Sequence, residues 1–200
     1  RCDRSLIFCA LVGLEESLNL EPEVVAQIVG PIISILHHHI YSAGGMVDKP
    51  TSRGLMAIFG LGTASGPSSA AASIDNMIRS FPAICHSIAR HRKRPEVLNL
   101  KLAIGATVGQ VLLGTVGSKN RMELAVIGPG ANLAARLTEL AERSLTSQQG
   151  VVDPRHTSAL AVTTPTLLED SYVARENVSL RDDAYVRSFP DLREVSIISI

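Results

Sequence analysis

A long run of alternating apolar residues constrains the fold more than any other feature of the sequence. The run is NLKLAIGATVGQVLLGTVGS, at residues 99–118. Apolar side chains alternate over 100–104 and again over 111–113, as in half-buried strands. We therefore predict a β-hairpin over this run, with its turn near 107–109. Because a hairpin joins antiparallel strands, the chain is expected to contain an antiparallel sheet.

Helical and strand-like segments alternate along the rest of the chain. Apolar spacings of three and four predict a helix from Pro22 to about Tyr41, which Pro31 should kink or divide. Further strands are predicted at 5–12, 45–49, 54–60 and 122–127, a second helix from the small-residue segment at 65–73 to the basic run at 90–94, a third helix directly after 127, and a long loop at 143–158. This order favours an α+β fold, in which helices pack on one face of an antiparallel sheet.

The composition is that of a globular protein. Hydrophobic residues make up 46% of the 200 residues and charged residues 19%, enough to bury an ordinary core. We expect residues 1–200 to form a single domain, cut from a longer multidomain chain. The formal net charge of zero gives no overall attraction to nucleic acid or to acidic membranes.

Other features limit the compartment and the partners. The basic run at 90–94 carries no aromatic residues, so we interpret it as a solvated helix end rather than a nucleic-acid site. No uninterrupted apolar run approaches the roughly 20 residues of a membrane span. Three cysteines without CxxC spacing favour a reducing compartment, and we expect an intracellular, cytoplasmic domain.

The segment VIGPGANLAARL, at 126–137, carries the clearest candidate for ligand chemistry. Pro129 suits the first position of a helix, and the glycines on either side let backbone approach a ligand closely. Asn132 and Arg136 are four residues apart, so both side chains reach the same region. A guanidinium matches phosphate oxygens, and an amide both donates and accepts. The alternative is that Asn132 and Arg136 are an ordinary polar pair on a helix surface, since such pairs have the same spacing.

Three separate segments match one family in order and spacing. They are GGMVDKPTSRGLMAIFG (44–60), IGATVGQVLLGTVGSKNR (104–121) and VIGPGANLAARL (126–137). Together they resemble the catalytic domain of class III nucleotidyl cyclases, the adenylate and guanylate cyclases. The resemblance extends from about Ser5 to the C-terminus. Several blocks in the correct order are far more specific than one motif.

The resemblance implies a fold and a mechanism. The fold would be a ferredoxin-like antiparallel sheet with helices on one face, active as a dimer with its sites at the subunit interface. One subunit would hold two magnesium ions through two aspartates. The other would read the base with a lysine, orient the ribose with an asparagine and stabilise the reacting phosphate with an arginine. The 3′-hydroxyl then attacks the α-phosphate and releases pyrophosphate.

The two metal-ligand positions of the family carry no carboxylate in this chain. Ala10, in CALVG, takes the place of the first aspartate, and Arg53, in KPTSRG, takes the place of the second. A positive charge about 4 Å from a cation costs roughly 4 kcal/mol at an effective dielectric constant of 20. We therefore expect no metal ligands in this chain, and Mg²⁺ or Mn²⁺ to reach the site only through a partner domain.

The nucleotide-binding positions are better matched. By the resemblance, Lys49 corresponds to the adenine-reading lysine, Asn132 to the ribose-orienting asparagine and Arg136 to the transition-state arginine. Arg187, in YVRSFPDLREVSII, takes the place of a lysine that contacts the terminal phosphates. Ala125 replaces the aspartate or threonine that assists base recognition, so this position is degenerate.

Two functions are compatible with this set of residues. In the first, the chain resembles the C2-type half of a tandem adenylate cyclase and is inactive alone. It supplies the base, ribose and phosphate contacts for ATP, and a metal-bearing cyclase domain, in trans or in tandem, supplies the metal ligands. The pair of domains then forms cyclic AMP. In the alternative, the chain is a non-catalytic pseudo-cyclase that serves as a nucleotide sensor or dimerisation scaffold. A scaffold does not need Lys49, Asn132, Arg136 and Arg187 together, and their joint presence favours the first function.

Overall fold

The computed structural model shows eight strands and three α-helices in the part of the chain that it describes. The described residues are 2–14, 22–50, 54–61, 66–118, 121–146, 152–169, 178–181, 189, 192 and 194–200. The strands are β1 (Cys2–Val12), β2 (Met46–Pro50), β3 (Gly54–Phe59), β4 (Lys101–Ser118), β5 (Arg121–Ile127), β6 (Ala159–Thr163), β7 (Val178–Arg181) and β8 (Val195–Ser199). The helices are α1 (Pro22–Ser42), α2 (Pro67–Arg92) and α3 (Pro129–Thr146), with 3₁₀ turns at Pro95–Asn99 and Pro165–Leu167.

Seven of these strands form one sheet in the order β2-β3-β1-β4-β6-β8-β7. Neighbouring strands are antiparallel except β4 and β6, which are parallel. The eighth strand, β5, pairs only with the second half of β4 and forms a hairpin with it. The predicted α+β architecture with a mainly antiparallel sheet is confirmed.

The hairpin lies further along the chain than predicted. Strand β4 runs without a break from Lys101 to Ser118, pairing with β1 as far as Val111 and with β5 from Leu112 onward. The predicted turn at 107–109 is therefore wrong. Gly109 lies in the strand because helix α3 packs against it there: a Cβ at Gly109 would lie 2.9 Å from the Cα of Gly130. The glycine marks a close contact between backbones and not a turn.

Helix α1 is a single helix that continues through Pro31, so Pro31 does not divide it, and the kink stays a prediction. By length and composition alone, α1 would be able to cross a membrane. Its apolar stripe, however, is buried in the core of this domain; the buried residues are Ile28, Val29, Ile32, Leu36 and Ile40. We therefore interpret α1 as a core helix.

The core lies on both faces of the sheet. Helices α1 and α2 cover one face, where the odd-numbered residues Ile7, Cys9 and Leu11 of β1 are buried. Helix α3 covers the other face, where Leu6 packs with Ala134. The two long helices thus share one face as expected, but the third does not. Since side chains alternate along a strand, apolar residues at successive positions of β1 give both faces a surface to bury.

Candidate functional site

Helix α3 is seated directly on strand β4 because glycines remove the side chains between them. A Cβ at Gly105 would overlap the backbone N of Thr138 and the carbonyl O of Ala134. A Cβ at Gly130 would lie 3.1 Å from the carbonyl carbon of Gly109. Gly130 thus allows α3 to approach the protein's own backbone closely, and the predicted close approach of a ligand stays a prediction.

The turn before α3 requires a glycine for its conformation. Gly128 has a φ of +151°, and a Cβ there would lie 2.6 Å from the carbonyl O of Gln110. Pro129 begins the helix as predicted, and the backbone N–H of Asn132 donates to the carbonyl O of Gly128 at 3.3 Å. The start of α3 is therefore fixed against β4 on both sides of Pro129.

Asn132 and Arg136 lie on the outward side of α3. Helix residues that face the sheet, such as Ala134, Leu137 and Ala141, are fully buried, whereas Asn132 is exposed and 33% of the Arg136 side chain is exposed. Within the described residues, the side chain of Asn132 makes no hydrogen bond. Both side chains are accessible from outside this domain.

The guanidinium of Arg136 is paired with a carboxylate on its own helix. Its Nη1 donates to Oε1 of Glu139, three residues further along α3. The hydrogen bond and the charge of Glu139 raise the pKa of Arg136 above its usual value. A phosphate that binds at this Nη1 would compete with the carboxylate.

Ala10 lies in the middle of the sheet, on β1. It pairs with Gly54 of β3 on one side and with Ala103 of β4 on the other. Because side chains alternate along β1, Ala10 belongs to the same face as Leu6, the face that α3 covers. The methyl group of Ala10 provides no ligand for a metal.

One predicted base-reading position, Ala125, lines a cavity of about 390 Å³. Ala125 of β5 lines this cavity together with Met56 of β3. The backbone of Lys49 pairs with that of Met56, which places position 49 next to the cavity wall. The remaining lining residues are Phe8, Cys9, Asp48, Leu55, Val126 and Ile127.

Two predicted site residues, Arg53 and Arg187, lie outside the described residues. Of the others, Asn132 and Arg136 lie together on α3, and Ala125 and Lys49 lie beside the cavity. The two groups are linked through the chain, since Ile127 lines the cavity and α3 begins two residues later.

A larger cleft, of about 770 Å³, lies at the other end of α3, and none of the predicted site residues lines it. Lys101 lies in this cleft. Its Nζ donates to the carbonyl O of Leu145 at 3.1 Å and also to the carbonyl O of Pro154. Burial lowers the pKa of Lys101. Since the Nζ of Lys101 donates to backbone carbonyls, we interpret Lys101 as a structural residue that stabilises the C-terminal end of α3.

Comparison with known proteins gives few clues from sequence. No model of a protein family matches the chain. The uncharacterized protein MT1361 of Mycobacterium tuberculosis is 26% identical over 186 residues, which cover 92% of this chain and 29% of that protein. The chain thus spans less than a third of the length of this curated relative.

Solved structures match the fold closely. The crystal structure of the guanylyl cyclase Cya2 has a TM-score of 0.73 at 20% identity, covering 99% of this chain and 91% of that one. The adenylyl cyclase CyaB from P. aeruginosa has a TM-score of 0.72 at 19% identity, covering 98% of this chain and 92% of that one. This chain has the fold of a class III nucleotidyl cyclase catalytic domain. The fold implied by the resemblance is therefore confirmed.

The described part of this cyclase fold does not offer a metal centre. Ala10 provides no carboxylate, and within the described ranges no three His, Cys, Asp or Glu side chains lie close enough together to hold a metal ion. Two magnesium ions need several oxygen ligands, supplied largely by carboxylates. The side chains that the structure describes do not fit such a pair of ions.

Sequence reasoning missed two carboxylates of this cyclase fold. Glu139 pairs with Arg136, and the spacing of three residues on a helix was a sufficient signal for that pair. The sequence predictions assign no role to Asp48, and in the structure Asp48 lines the same cavity as Ala125. No sequence signal indicates the local distortion of β2 that brings it there.

Proposed function

We propose that this domain supplies the base, ribose and phosphate contacts of a composite adenylate cyclase site and that a second cyclase domain supplies the metal ligands. The observation that carries the proposal is the position of Asn132 and Arg136. Both lie on the outward side of α3, in a cyclase fold whose described residues offer no metal centre. Such a half-site would be inactive alone.

In this proposal each residue of the half-site has a distinct role. The amide of Asn132 holds the ribose, so that the 3′-hydroxyl lies in line with the α-phosphate. The guanidinium of Arg136 neutralises charge that develops on the reacting phosphate. Lys49 donates to the adenine ring, and Arg187 pairs with the terminal phosphates. The ions, Mg²⁺ or Mn²⁺, belong to the partner.

An exposed apolar surface on the β4–β5 hairpin supports the existence of such a partner. Five large apolar side chains are at least 37% exposed on these two strands: Leu112, Val116, Met122, Leu124 and Ile127. By the strand register, Leu112, Val116 and Ile127 share one face of the hairpin, and Met122 and Leu124 lie on the other. Exposed apolar patches mark interaction surfaces in soluble proteins. Because α3 follows β5 directly, a partner that covers the hairpin would also approach Asn132 and Arg136.

The proposal is tested by reconstitution with Mg-ATP. This domain is assayed alone and mixed with a metal-competent cyclase domain from the same source, with Asn132→Ala and Arg136→Ala tested in the mixture. We expect the domain alone to be silent and the mixture to form cyclic AMP at a rate that either substitution lowers about a hundredfold or more. Arg143→Ala, on the same helix, serves as the matched control.

The same experiment separates the proposal from its alternative. If the two domains associate but the substitutions change nothing, Asn132 and Arg136 take no part in chemistry, and the domain is a scaffold or nucleotide sensor. Cyclic AMP formation by the domain alone would contradict the proposal that this domain is only half of an active site.

A further inference from the structure

Asp48 lies at an irregularity of strand β2. Val47 pairs with Ala57 and Lys49 pairs with Met56, so Asp48 is an extra residue between two consecutive pairs. An extra residue of this kind is a β-bulge, which changes the direction of nearby side chains and is common beside active sites. The bulge lies at the wall of the cavity that Ala125 lines.

The cavity combines apolar walls with a carboxylate. Asp48 is the only charged residue among the described residues that line it, since Cys9 is buried and burial raises the pKa of its thiol, which stays neutral. The cavity volume of about 390 Å³ falls within the range of small-molecule sites, about 300–1,000 Å³. Such a cavity suits a flat, largely apolar ring that carries an N–H donor.

Adenine has these properties. Its faces pack against apolar side chains, and its 6-amino group donates hydrogen bonds. Ala125 has no side-chain acceptor for that amino group, whereas Asp48, which also lines the cavity, carries two carboxylate oxygens. A hydrogen bond from an amino group to a carboxylate is charge-assisted and is therefore stronger than one between neutral groups.

We propose that Asp48 accepts the 6-amino group of adenine and so takes over the recognition that Ala125 cannot provide. This inference rests on the proposed function, since adenine would enter the cavity as part of ATP. Asp48 is then a specificity-determining residue at the base, distinct from Asn132 and Arg136, which act on the ribose and the phosphate.

The test compares two nucleotides that differ only in this amino group, ATP and purine riboside 5′-triphosphate. Dissociation constants for both are measured by competition in the complex of this chain with the metal-competent partner domain. We expect the complex to prefer ATP by about tenfold or more. In Asp48→Ala the preference should fall to nearly one, because neither position 48 nor position 125 then offers an acceptor.

A second variant gives a result that a purely structural role for Asp48 would not produce. Adding Ala125→Asp to Asp48→Ala returns a carboxylate to the lining of the same cavity, and the preference for ATP should return. Asp75→Ala removes a carboxylate on α2 that pairs with Arg79 at 2.8 Å, far from the cavity, and serves as the control. It should leave the preference unchanged.

The outcomes distinguish this inference from the proposed function. If Asp48→Ala leaves the preference for ATP intact while cyclic AMP still forms, Asp48 does not read the base, and the half-site stands. A wild-type complex that binds both nucleotides equally would also overturn the role of Asp48. If the wild-type complex binds neither nucleotide and forms no product, the proposed function itself fails.

Discussion

Arg136 pairs with the carboxylate of Glu139, whereas the proposed function requires its guanidinium to bind a phosphate. The pair with Glu139 lies on the surface of α3, where 33% of the Arg136 side chain and 46% of the Glu139 side chain are exposed. Surface pairs of this kind are weak, so a phosphate with more negative charge can displace the carboxylate. Glu139 therefore competes with the nucleotide for the guanidinium.

Replacing Glu139 by glutamine tests this competition. In the reconstituted mixture, Glu139→Gln should lower the KM for ATP about two- to fivefold, because Arg136 no longer exchanges one anion for another. The control is Glu142→Gln, which removes the same charge one turn further along α3. A KM that rises in Glu139→Gln would mean that the carboxylate positions Arg136 for the nucleotide.

The buried thiol of Cys85 predicts a dependence of stability on pH. Burial raises its pKa from the ordinary 9.0 to about 12. Between these values the unfolded chain releases the thiol proton and the native chain keeps it, so the free energy of unfolding should fall as pH rises above 9. Below pH 9 the contribution is complete. Urea unfolding at pH 8 to 11 should show a shallower loss in Cys85→Ala, and an unchanged slope would exclude this role.

At the scale of elements, the contact between α3 and β4 positions the candidate site. Gly105 and Gly109 of β4 lie under the helix, and Gly128 and Gly130 fix its start. Through these contacts the backbone of β4 determines where Asn132 and Arg136 emerge. The glycines therefore act on the site through the packing of α3 on β4.

A pair of alanine substitutions on β4 tests this packing. Gly105→Ala introduces a methyl group that overlaps the backbone of α3, and we expect it to lower the free energy of unfolding by about 1–3 kcal/mol. Gly114→Ala lies on the same strand with no atom within 4 Å of its Cβ, and should change stability by less than about 0.5 kcal/mol. Equal effects in urea unfolding would show that α3 does not depend on Gly105.

The elements show where sequence reasoning succeeds and where it stops. The sequence predicts the third helix correctly because local signals mark its start. These signals are Gly128, Pro129 and the polar pair that follows them. The predicted position of the hairpin turn is wrong because the glycines of β4 are typical of a turn. Only the packing of α3 against β4 explains why glycines occur there. The bulge at Asp48 has no sequence signal, since it depends on the pairing of β2 with β3.

At the scale of the whole molecule, the candidate site faces outward, and Ala10, the metal position that the structure describes, carries no carboxylate. The exposed hairpin and the outward polar residues of α3 adjoin each other along the chain. A second cyclase domain docked on the hairpin would complete the site. The proposed functional unit is therefore a pair of domains.

The hairpin surface can be tested by a single charge. Val116 is 55% exposed and pairs with Glu123, so a lysine at position 116 leaves the hairpin itself stable. Val116→Lys should weaken association with the partner domain about tenfold or more, because the charge would be buried at the contact. Leu98→Lys, at a residue 47% exposed near the end of α2, is the control. Sedimentation of the mixtures measures both, and equal association would place the contact elsewhere.

The most direct test of the half-site uses a disabled partner. In the metal-competent domain, the asparagine and arginine that match Asn132 and Arg136 are both replaced by alanine, so that the partner alone is silent. Mixed with this chain, the disabled partner should form cyclic AMP again, because the missing contacts come from Asn132 and Arg136. If the two domains associate and the mixture stays silent with Mg-ATP, this chain does not supply the ribose and phosphate half of the site.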